Sequence, residues 1–528
     1  MSLQANTLYY GDCLEWLPSF PSESVDLIYL DPPFNSNTDY NLLFGNGKQS
    51  ERNGGKSAQV KAFDDTWRWD DSAEDRVSRL TKATAHPAHR AVVGLSVMLP
   101  AGGMLAYLSY MAERLAAMPR ILKPTGSIFL HCDDKASHGL KLVMDVIFGP
   151  GNFRNEIIWQ RRADKHNLAT KHMGRIHDVV LYYVRSDAAR YRKQFQPYDN
   201  SYLRSHYKHR GHRGRYRLCP VANKAGGNKP YEFRGVEGAW RYTRERMQAM
   251  YDDGLLYQSG PGRPWQYKKF LADAEGVPLQ DLWTDIKPVR GKKQSLGYPT
   301  QKPDPLLERI IAASTDEGDM VLDPFCGCGT AVAAAHKLNR KWAGIDISPF
   351  AIDLIASKRF HGFKVPTEGY PYDLAGARKL AKDAPFKFEK WAVTRVPGLA
   401  PNDKQVGDHG IDGVGQLLHD PSEPEMTDKV LAQVKGGRYQ LKEVRDFLHV
   451  VNREHAATGL YTTVDPIRAA GARSEVRKLG TFRMGASKYP RAQLWSIRDY
   501  FEDRFPSLPA LADPYTGKPA QIPLQMTL

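Results

Sequence analysis

Short apolar runs alternate with an amphipathic stretch along the first third of the chain. Residues 25–30, 128–131 and 179–184 are mostly apolar and are bounded by turn formers, a pattern typical of strands buried in a parallel sheet. Between the first two runs, residues 107–122 place Leu and Met at spacings of three and four, which predicts an amphipathic helix. Strands that alternate with helices predict a doubly wound α/β fold.

The periodicity weakens between residues 186 and 297 and then resumes. It next predicts a helix at residues 304–314, a strand at 320–322, a glycine loop at 323–329, a helix at 330–338 and a strand at 342–345. We therefore predict a first domain at residues 1–372, with an insert at residues 186–297. A linker at residues 373–384 then leads to a smaller α/β domain at residues 385–528.

The distribution of charge along the chain indicates a binding partner. The chain has 528 residues and a formal net charge of +15. Between residues 161 and 217, 15 Lys and Arg stand against 4 Asp, with Tyr and His between them. A solvated face would explain such a run, but the interleaved aromatic residues favour a polyanion, nucleic acid first. No apolar run reaches the ~20 residues that a membrane helix needs, so we predict a cytoplasmic protein with no membrane partner.

A strand at residues 320–322 is followed by a Gly-x-Gly turn and then by a helix. Gly327 and Gly329 let a ligand approach the backbone, and the helix start supplies free amides. Asp346 ends the next strand, where a carboxylate can bind two ribose hydroxyls. A triphosphate loop would need a lysine, and a dinucleotide loop of the Gly-x-Gly-x-x-Gly type would need a third glycine, which the sequence lacks here. S-adenosylmethionine is then the leading candidate ligand, and a plain strand-to-helix turn is the alternative.

The tetrapeptide Asp31-Pro32-Pro33-Phe34 follows the first buried strand. A simple turn would explain it, but it also lies where a doubly wound sheet places its ligands, beyond the carboxyl end of a strand. Together with Phe325-x-Gly-x-Gly it resembles the amino-methyltransferases of DNA. The tetrapeptide precedes the cofactor loop, as in the permuted beta class of that family. Gly11-Asp12 and Thr300-Gln301-Lys302-Pro303 lie at further motifs of the family.

This resemblance implies a Rossmann-like, S-adenosylmethionine-dependent methyltransferase with permuted motif order. It implies that Asp12 and Asp346 hold the adenine and ribose parts of the cofactor and that Phe325 lies against its adenine. Asp323 opens the same loop. The methionine part is then expected to contact Gly327, Gly329 and Thr330.

The tetrapeptide suits transfer to an exocyclic amine, whose lone pair is delocalised into the base ring. The Asp31 carboxylate and the Pro32 carbonyl can each accept one amino hydrogen, which turns the lone pair toward the methyl group. Pro32 and Pro33 stiffen the turn, and Phe34 offers a face for an extruded base. We therefore predict methylation of double-stranded DNA.

Aspartate rather than serine at position 31 favours adenine over cytosine-N4 as the target. We keep cytosine-N4 methylation, RNA methylation and a silent DNA-binding protein as alternatives, and we leave open whether the chain forms a homodimer. His131 is expected to be a hydrogen-bonded structural histidine rather than a base. Phosphate contacts are expected from basic residues of the insert, namely Arg204, Lys208, Arg210, Arg213, Arg215 and Arg217.

The C-terminal part carries a second candidate site. Gln433 and Lys435 lie two residues apart in an apolar run, so they project from one face of a strand and can converge with Asp412. This resembles the Mrr-like branch of the PD-(D/E)xK nucleases, with Glu389 as its upstream acid, and implies a restriction-endonuclease-like domain. Asp412 and Gln433 are expected to bind Mg²⁺ and Lys435 to activate water, which would couple restriction to modification. Because Gln433 is neutral, a domain that only holds DNA is the alternative.

Overall fold

The computed structural model describes residues 3–33, 67–162, 173–223, 229–289, 296, 298, 300–360, 363–402, 410–419, 427–514, 517 and 519–520. They divide into two compact units, one of residues 1–192 with 281–528 and the other of residues 193–280. Within the described ranges, no helix is both long and apolar enough to span a bilayer.

The first unit begins with alternating strands and helices. Its strands before residue 193 are β1 (Thr7–Tyr10), β2 (Val25–Leu30), β3 (Leu122–Cys132), β4 (Phe153–Gln160) and β5 (His177–Val184). Its helices there are α1 (Cys13–Trp16), α2 (Asp71–Lys82), α3 (His89–Met98), α4 (Gly103–Ile121) and α5 (Ser137–Phe148). Asp12 and Asp70 cap α1 and α2, because each carboxylate accepts a backbone N–H of the first turn.

The second unit has its own core and lies within residues 186–297, the stretch that the sequence pattern predicts as an insert. Its strands are β6 (Phe195–Gln196), β7 (His209–Gly211), β8 (Gly214–Pro220), β9 (Tyr231–Phe233), β10 (Val236–Gly238), β11 (Leu256–Tyr257), β12 (Gln266–Phe270) and β13 (Val277–Pro278). Its helices are α6 (Asn200–His206) and α7 (Arg244–Asp252). The core includes Val221, Phe233, Trp240, Met247 and Trp265.

The first unit resumes and completes a large sheet. Its next elements are β14 (Leu282–Trp283), α8 (Asp304–Ser314), β15 (Met320–Asp323), α9 (Thr330–Lys337), β16 (Lys341–Asp346), α10 (Pro349–Leu354) and β17 (Thr367–Glu368). Nine of the described strands pair in the order β14-β4-β5-β3-β2-β15-β16-β1-β17. Helices α2 to α5 share one core with strand side chains, and α8 and α9 pack together on β2, β3, β15 and β16. All six residues of β2 are buried, and the α/β prediction is confirmed.

Strand β5 corrects one expectation. It pairs antiparallel with β3 and β4, with Val179 opposite Cys132 and His177 opposite Gln160. The sheet is therefore mixed, and the prediction of a parallel strand at residues 179–184 is wrong. A strand covered on both faces is apolar whichever way it runs, so its pattern carries no information on direction. The reversal brings the start of β5 to the edge where β3 ends.

Residues 373–528 continue the first unit with a second sheet. The helices are α11 (Leu374–Asp383), α12 (Pro385–Val393), α13 (Leu441–Arg453), α14 (Ala470–Lys478) and α15 (Ile497–Phe501). The strands are β18 (Leu399–Pro401), β19 (Gly413–Gln416), β20 (Thr427–Lys435), β21 (Ala456–Thr463), β22 (Thr481–Met484), β23 (Ser487–Pro490) and β24 (Ala492–Ser496). The sheet order is β18-β19-β20-β21-β24, and β20, β21 and β24 run parallel.

The linker predicted at residues 373–384 is a helix instead. Asp373 caps α11 by accepting the Gly376 N–H at 2.6 Å, and α12 begins at Pro385 directly after it. The buried face of α11 uses Ala377 and Ala381. Alanines bury little apolar area, so this face gives a weak hydrophobic signal among the surrounding Lys, Arg and Asp.

A buried arginine joins the two sheets of the first unit. Arg395, two residues beyond α12, is 3% exposed and pairs with Asp353 of α10. It also donates to the Tyr370 hydroxyl at 2.8 Å, and its guanidinium lies 5.3 Å from the centroid of the Trp391 ring. The two sheets are therefore held together by an ion pair between a half-buried Asp353 and a guanidinium that is buried among aromatic rings.

We expect Arg395→Met to lower the free energy of unfolding of the full chain by about 3 kcal/mol, because it leaves Asp353 without its buried counter-charge. Chemical denaturation measures this. The control is Arg378→Met, which removes the exposed pair with Asp465 at 2.8 Å, and it should cost less than about 1 kcal/mol. Equal losses in the two variants would contradict the role given to Arg395.

Candidate active site

The carboxyl ends of β2 and β15 meet at one edge of the nine-stranded sheet. These strands are parallel neighbours, with Leu27 opposite Val321 and Ile28 opposite Leu322. Asp31 follows β2, and the glycine loop at residues 323–329 follows β15. Both segments line one pocket, although they lie far apart in the sequence.

The glycine loop has a backbone that other residues would not adopt. Gly327 and Gly329 have φ values of +49° and +75°. A Cβ at Gly329 would lie 2.7 Å from Cγ1 of Ile355, so a side chain there would displace the helix behind the loop. Thr330 then begins α9, and its hydroxyl accepts a hydrogen bond from Arg359 Nη2 at 2.9 Å. Gly327 therefore presents backbone rather than a side chain to the pocket.

Asp346 holds this loop from the end of the neighbouring strand. Its carboxylate accepts the Gly327 N–H at 2.7 Å and the Ser348 N–H at 2.8 Å. Burial raises the pKa of Asp346 to about 6, although these two hydrogen bonds act in the opposite direction. Tyr10 lies opposite Asp346 across the β1–β16 pairing, so Gly11-Asp12 reach the same pocket.

Asp12 lines the pocket but is also engaged with the protein. One carboxylate oxygen accepts the Leu14 N–H at 2.9 Å, and the other pairs with the buried Arg114. The Arg114 guanidinium in turn lies 3.2 Å from the centroid of the Tyr110 ring, another pocket residue. The position of Asp12 is thus fixed by an ion pair and a helix cap.

Asp323 is buried at the start of the glycine loop. It is 2% exposed and accepts the Phe325 N–H at 3.1 Å. Burial raises the pKa of Asp323 well above its usual value, and the charges of Asp31 and Asp346 raise it further. Phe325 is half-buried and lines the pocket.

The tetrapeptide that begins at Asp31 borders the same pocket. Asp31 Oδ2 lies 2.5 Å from Lys302 Nζ, and the two side chains are 17% and 10% exposed. Pro32 is buried and Pro33 is half-buried, and both line the pocket. Phe34 lies outside the described residues. The structure therefore brings together three of the four tetrapeptide positions with six of the seven predicted cofactor positions. The seventh, Gly329, is not among the residues that line the pocket.

His131 is buried beside the pocket and hydrogen-bonded at both ring nitrogens. Nδ1 lies 3.0 Å from the Tyr29 hydroxyl, and Nε2 lies 3.3 Å from Asp178 Oδ2. Burial acts to raise the pKa of Asp178, but the hydrogen bond and charge of His131, with the charges of Lys302 and Arg161, lower it below its usual value. The environment agrees with the expected structural histidine.

The predicted metal residues converge in the second sheet. Asp412 precedes β19, and its Oδ2 accepts the Val434 N–H of β20 at 2.7 Å. Gln433 is 8% exposed, and its Oε1 has no hydrogen-bond partner in the part of the chain that is described. Lys435 projects from the same face of β20, and its Nζ lies 3.9 Å from Oε1 of Glu443, a carboxylate that sequence reasoning missed.

The donor set of this second site is poor in charge. The predicted upstream acid, Glu389, lies on helix α12. Over the described ranges, no three or more His, Cys, Asp or Glu side chains are grouped so that they could hold a metal ion. Asp412 and the neutral Gln433 therefore make a weak charge match for Mg²⁺.

The basic residues of the second unit divide into two groups. Arg215 donates to the carbonyl oxygens of Tyr207 and Leu203 at 3.1 and 2.6 Å, and Arg217 donates to the Tyr202 hydroxyl at 2.7 Å. These two arginines hold α6 onto β8, so they are already used inside the unit. The exposed members of the predicted phosphate set are Arg204, Lys208, Arg210 and Arg213.

Comparison with known protein families matches residues 25–357 to a family described as DNA methylase, of the N6/N4 type. The matched segment contains the tetrapeptide, the glycine loop and Asp346. The chain belongs to the N6/N4 DNA methylase family.

The chain is similar to several bacterial proteins. Type II methyltransferase M.EcaI of Enterobacter cloacae is 30% identical over 272 residues, 50% of this chain and 60% of that protein. The Mod subunit of the type III restriction-modification enzyme StyLTI of Salmonella typhimurium is 27% identical over 353 residues, 63% of this chain and 49% of that protein. DNA adenine methyltransferase YhdJ of Escherichia coli is 24% identical over 345 residues, 65% of this chain and 79% of that protein. The chain thus spans about half to three fifths of the length of the first two relatives.

The pocket also contains residues to which the sequence assigned no role. Lys302 stands in the motif Thr300–Pro303, so its signal was present, but its partner Asp31 lies 271 positions earlier in the chain. The tyrosines Tyr29, Tyr110 and Tyr298 also line the pocket. Tyr29 and Tyr110 lie in a strand and a helix whose patterns are those of ordinary core elements, so nothing in the sequence marked them.

We expect Asp346 to destabilise the unliganded protein as the pH rises. Its pKa is about 6 in the folded protein, whereas the ordinary pKa of an aspartate is 3.8. At pH values between these two, the folded chain keeps a proton that the unfolded chain releases. The free energy of unfolding therefore falls as pH rises through this range. From about pH 4.5 to about pH 7, the free energy of unfolding of Asp346→Asn should therefore rise by about 2 kcal/mol relative to that of the wild type, as measured by chemical denaturation. Asp187→Asn, at a side chain 98% exposed, is the control and should show no such gain.

Proposed function

We propose that this chain transfers a methyl group from S-adenosylmethionine to the exocyclic amine of adenine in double-stranded DNA. One observation carries the proposal: Asp31-Pro32-Pro33 and the glycine loop line one pocket where β2 and β15 end. The family match and the relative named a DNA adenine methyltransferase support it. The order of the motifs, with the tetrapeptide before the loop, supports the permuted beta class.

The pocket suits S-adenosylmethionine in charge and in donors. Carboxylates at Asp31 and, above its pKa of about 6, Asp346 create a negative potential that favours a positively charged sulfonium. Asp346 is placed to accept from the ribose hydroxyls, with Asp12 and Phe325 near the adenine end. The methionine part fits the free amides at the start of α9, against Gly327, Gly329 and Thr330.

The acceptor amine is held by the tetrapeptide. Asp31 and the Pro32 carbonyl each accept one amino hydrogen, and Phe34 stacks on the extruded base. When bound, the cofactor supplies a methyl group whose C–S bond pair returns to sulfur as a neutral thioether leaves. The amine lone pair forms the new N–C bond, and the surplus amino proton leaves along the hydrogen bond to Asp31 and then to water.

Binding to DNA is assigned to the basic second unit. Phosphates can be contacted by its exposed side chains Arg204, Lys208, Arg210 and Arg213, which add affinity without reading sequence. The relative named a DNA adenine methyltransferase and the relative named a restriction-modification Mod subunit support DNA over RNA as the substrate.

The decisive variant is Asp31→Asn. It keeps the shape of the side chain but weakens acceptance of the amino hydrogen, so methyl transfer should fall by about 10²- to 10³-fold while S-adenosylmethionine still binds. The assay uses labelled cofactor and duplex DNA, with the methylated nucleoside identified after digestion. Asp187→Asn, which breaks an exposed pair with Arg154, is the control and should be fully active.

The product decides between the alternatives. N6-methyladenine in duplex DNA supports the proposal. N4-methylcytosine would show that the target base is cytosine, and methylation of RNA alone would show that the substrate is RNA. Full transfer by Asp31→Asn would overturn the assignment of the tetrapeptide.

We propose a second activity, Mg²⁺-dependent DNA cleavage by residues 385–528, acting beside a methyltransferase of residues 1–372. The observation that favours it is the buried Gln433 Oε1, which has no hydrogen-bond partner among the described residues, on the strand whose Val434 N–H binds the Asp412 carboxylate. Asp412 and Gln433 are the proposed Mg²⁺ ligands, and Lys435, next to Glu443, is placed to activate water. Methylation of a shared site would then protect DNA from cutting, as in restriction-modification.

The test compares unmethylated and premethylated DNA with Mg²⁺, using the full chain and Lys435→Ala. Cleavage of unmethylated DNA should be abolished in the variant, because no other group replaces the lysine at the attacking water. Lys429→Ala, on the same strand and paired with Glu454 at 3.8 Å, is the matched control and should cut normally. No cleavage under either condition would leave a DNA-holding domain, and cleavage of methylated DNA alone would reverse the proposed coupling.

A further inference from the structure

Lys302 connects the two halves of the pocket. Its Nζ lies 2.5 Å from Asp31 Oδ2, and both side chains are largely buried. Its backbone carbonyl accepts the Thr330 hydroxyl at 3.4 Å, at the first residue of α9. A single residue therefore contacts both the tetrapeptide and the helix that follows the glycine loop.

The backbone of Lys302 is held in place on both sides. Pro303 restricts the preceding residue to extended conformations, and Pro303 is also the residue from which α8 starts. Thr330 is fixed by Arg359, which donates to its hydroxyl at 2.9 Å and to the Cys328 carbonyl at 2.9 Å. The lysine side chain thus reaches Asp31 from a rigid base.

The Lys302 charge is surrounded by carboxylates. Burial raises the pKa of Asp323, and Lys302 acts against that rise. Lys302 also helps His131 and Arg161 to outweigh the burial of Asp178 and lower its pKa. A neutral side chain at position 302 would leave Asp31 and Asp323 close together without this cation, so the ammonium group is electrostatically tied to its place.

We propose that Lys302 is a positioning residue for methyl transfer, whose ammonium group holds one carboxylate oxygen of Asp31 so that the other oxygen meets the amino hydrogen of the base. The inference rests on the proposed methyltransferase function and deepens its acceptor site. A carboxylate offers two oxygens with about four lone-pair directions, so Lys302 and the amine can be bound together. Because Lys302 also touches Thr330, it sets the distance between the carboxylate and the loop that borders the methyl donor.

The test is steady-state kinetics of Lys302→Met and Lys302→Arg in the full chain, with duplex DNA and S-adenosylmethionine. We expect kcat to fall by about 100-fold in Lys302→Met, because a carboxylate displaced by about 1 Å loses that much. The KM for DNA and the Kd for S-adenosylmethionine should change by less than about threefold, because the interaction serves the reacting geometry rather than ground-state binding. Lys302→Arg keeps the charge and should recover at least about tenfold of the lost kcat.

A matched control removes another lysine–carboxylate pair from the same region. Lys337→Met breaks the exposed pair between α9 and Glu308, whose Nζ–Oε1 distance is 2.7 Å, and it should leave kcat unchanged. Thermal unfolding of all variants shows whether they are folded.

The outcomes separate this inference from the function on which it rests. If Lys302→Met keeps the wild-type kcat while Asp31→Asn is inactive, the positioning role is wrong and the methyltransferase assignment stands. If Lys302→Met loses cofactor binding or stability in proportion to kcat, or if Lys302→Arg recovers nothing, the lysine is architectural and the inference is wrong. If Asp31→Asn remains fully active, the proposed function itself fails.

Discussion

The parallel pairing of β2 with β15 is the contact on which the rest of this protein depends. Only when Leu27 and Ile28 lie beside Val321 and Leu322 do Asp31 and the glycine loop end at the same edge of the sheet. A slip of one residue would turn every side chain of β2 to the opposite face, because successive residues of a strand alternate. Helices cover both faces and bury all of β2, so this register is strongly determined.

The same edge concentrates negative charge in a partly dry pocket. Asp323 and Asp346 both have raised pKa values because burial disfavours their charged forms. Such sites lower the stability of the empty protein and raise its readiness for a positively charged ligand, a frequent exchange of stability for function. Lys302 and Arg114 moderate this repulsion by pairing with Asp31 and Asp12.

The C-terminal sheet belongs to a region that packs directly against the elements near the pocket and is not joined to them by a linker alone. Asp353, the partner of the buried Arg395, lies on α10, which starts three residues after Asp346. The Tyr10 hydroxyl, from the strand that pairs with β16, donates to the Lys387 carbonyl at 3.2 Å. The edge that carries Asp346 and the sheet that carries the second candidate site therefore belong to one packed body.

The sequence alone determined the elements whose signals are local. Helix α8 was predicted at its observed bounds. The strand that precedes Asp31 and the strand that ends at Asp346 were predicted within one residue at each end. These predictions succeed because the periodicity and the turn residues of each element lie within a few positions of each other. The glycine loop, the tetrapeptide and the family to which they belong could also be identified there. Only the tertiary structure decided the direction of β5, the helix at the expected linker, and the pairing of Lys302 with Asp31. Strand direction, weak alanine faces and ion pairs between distant segments are properties of packing, and no local pattern encodes them.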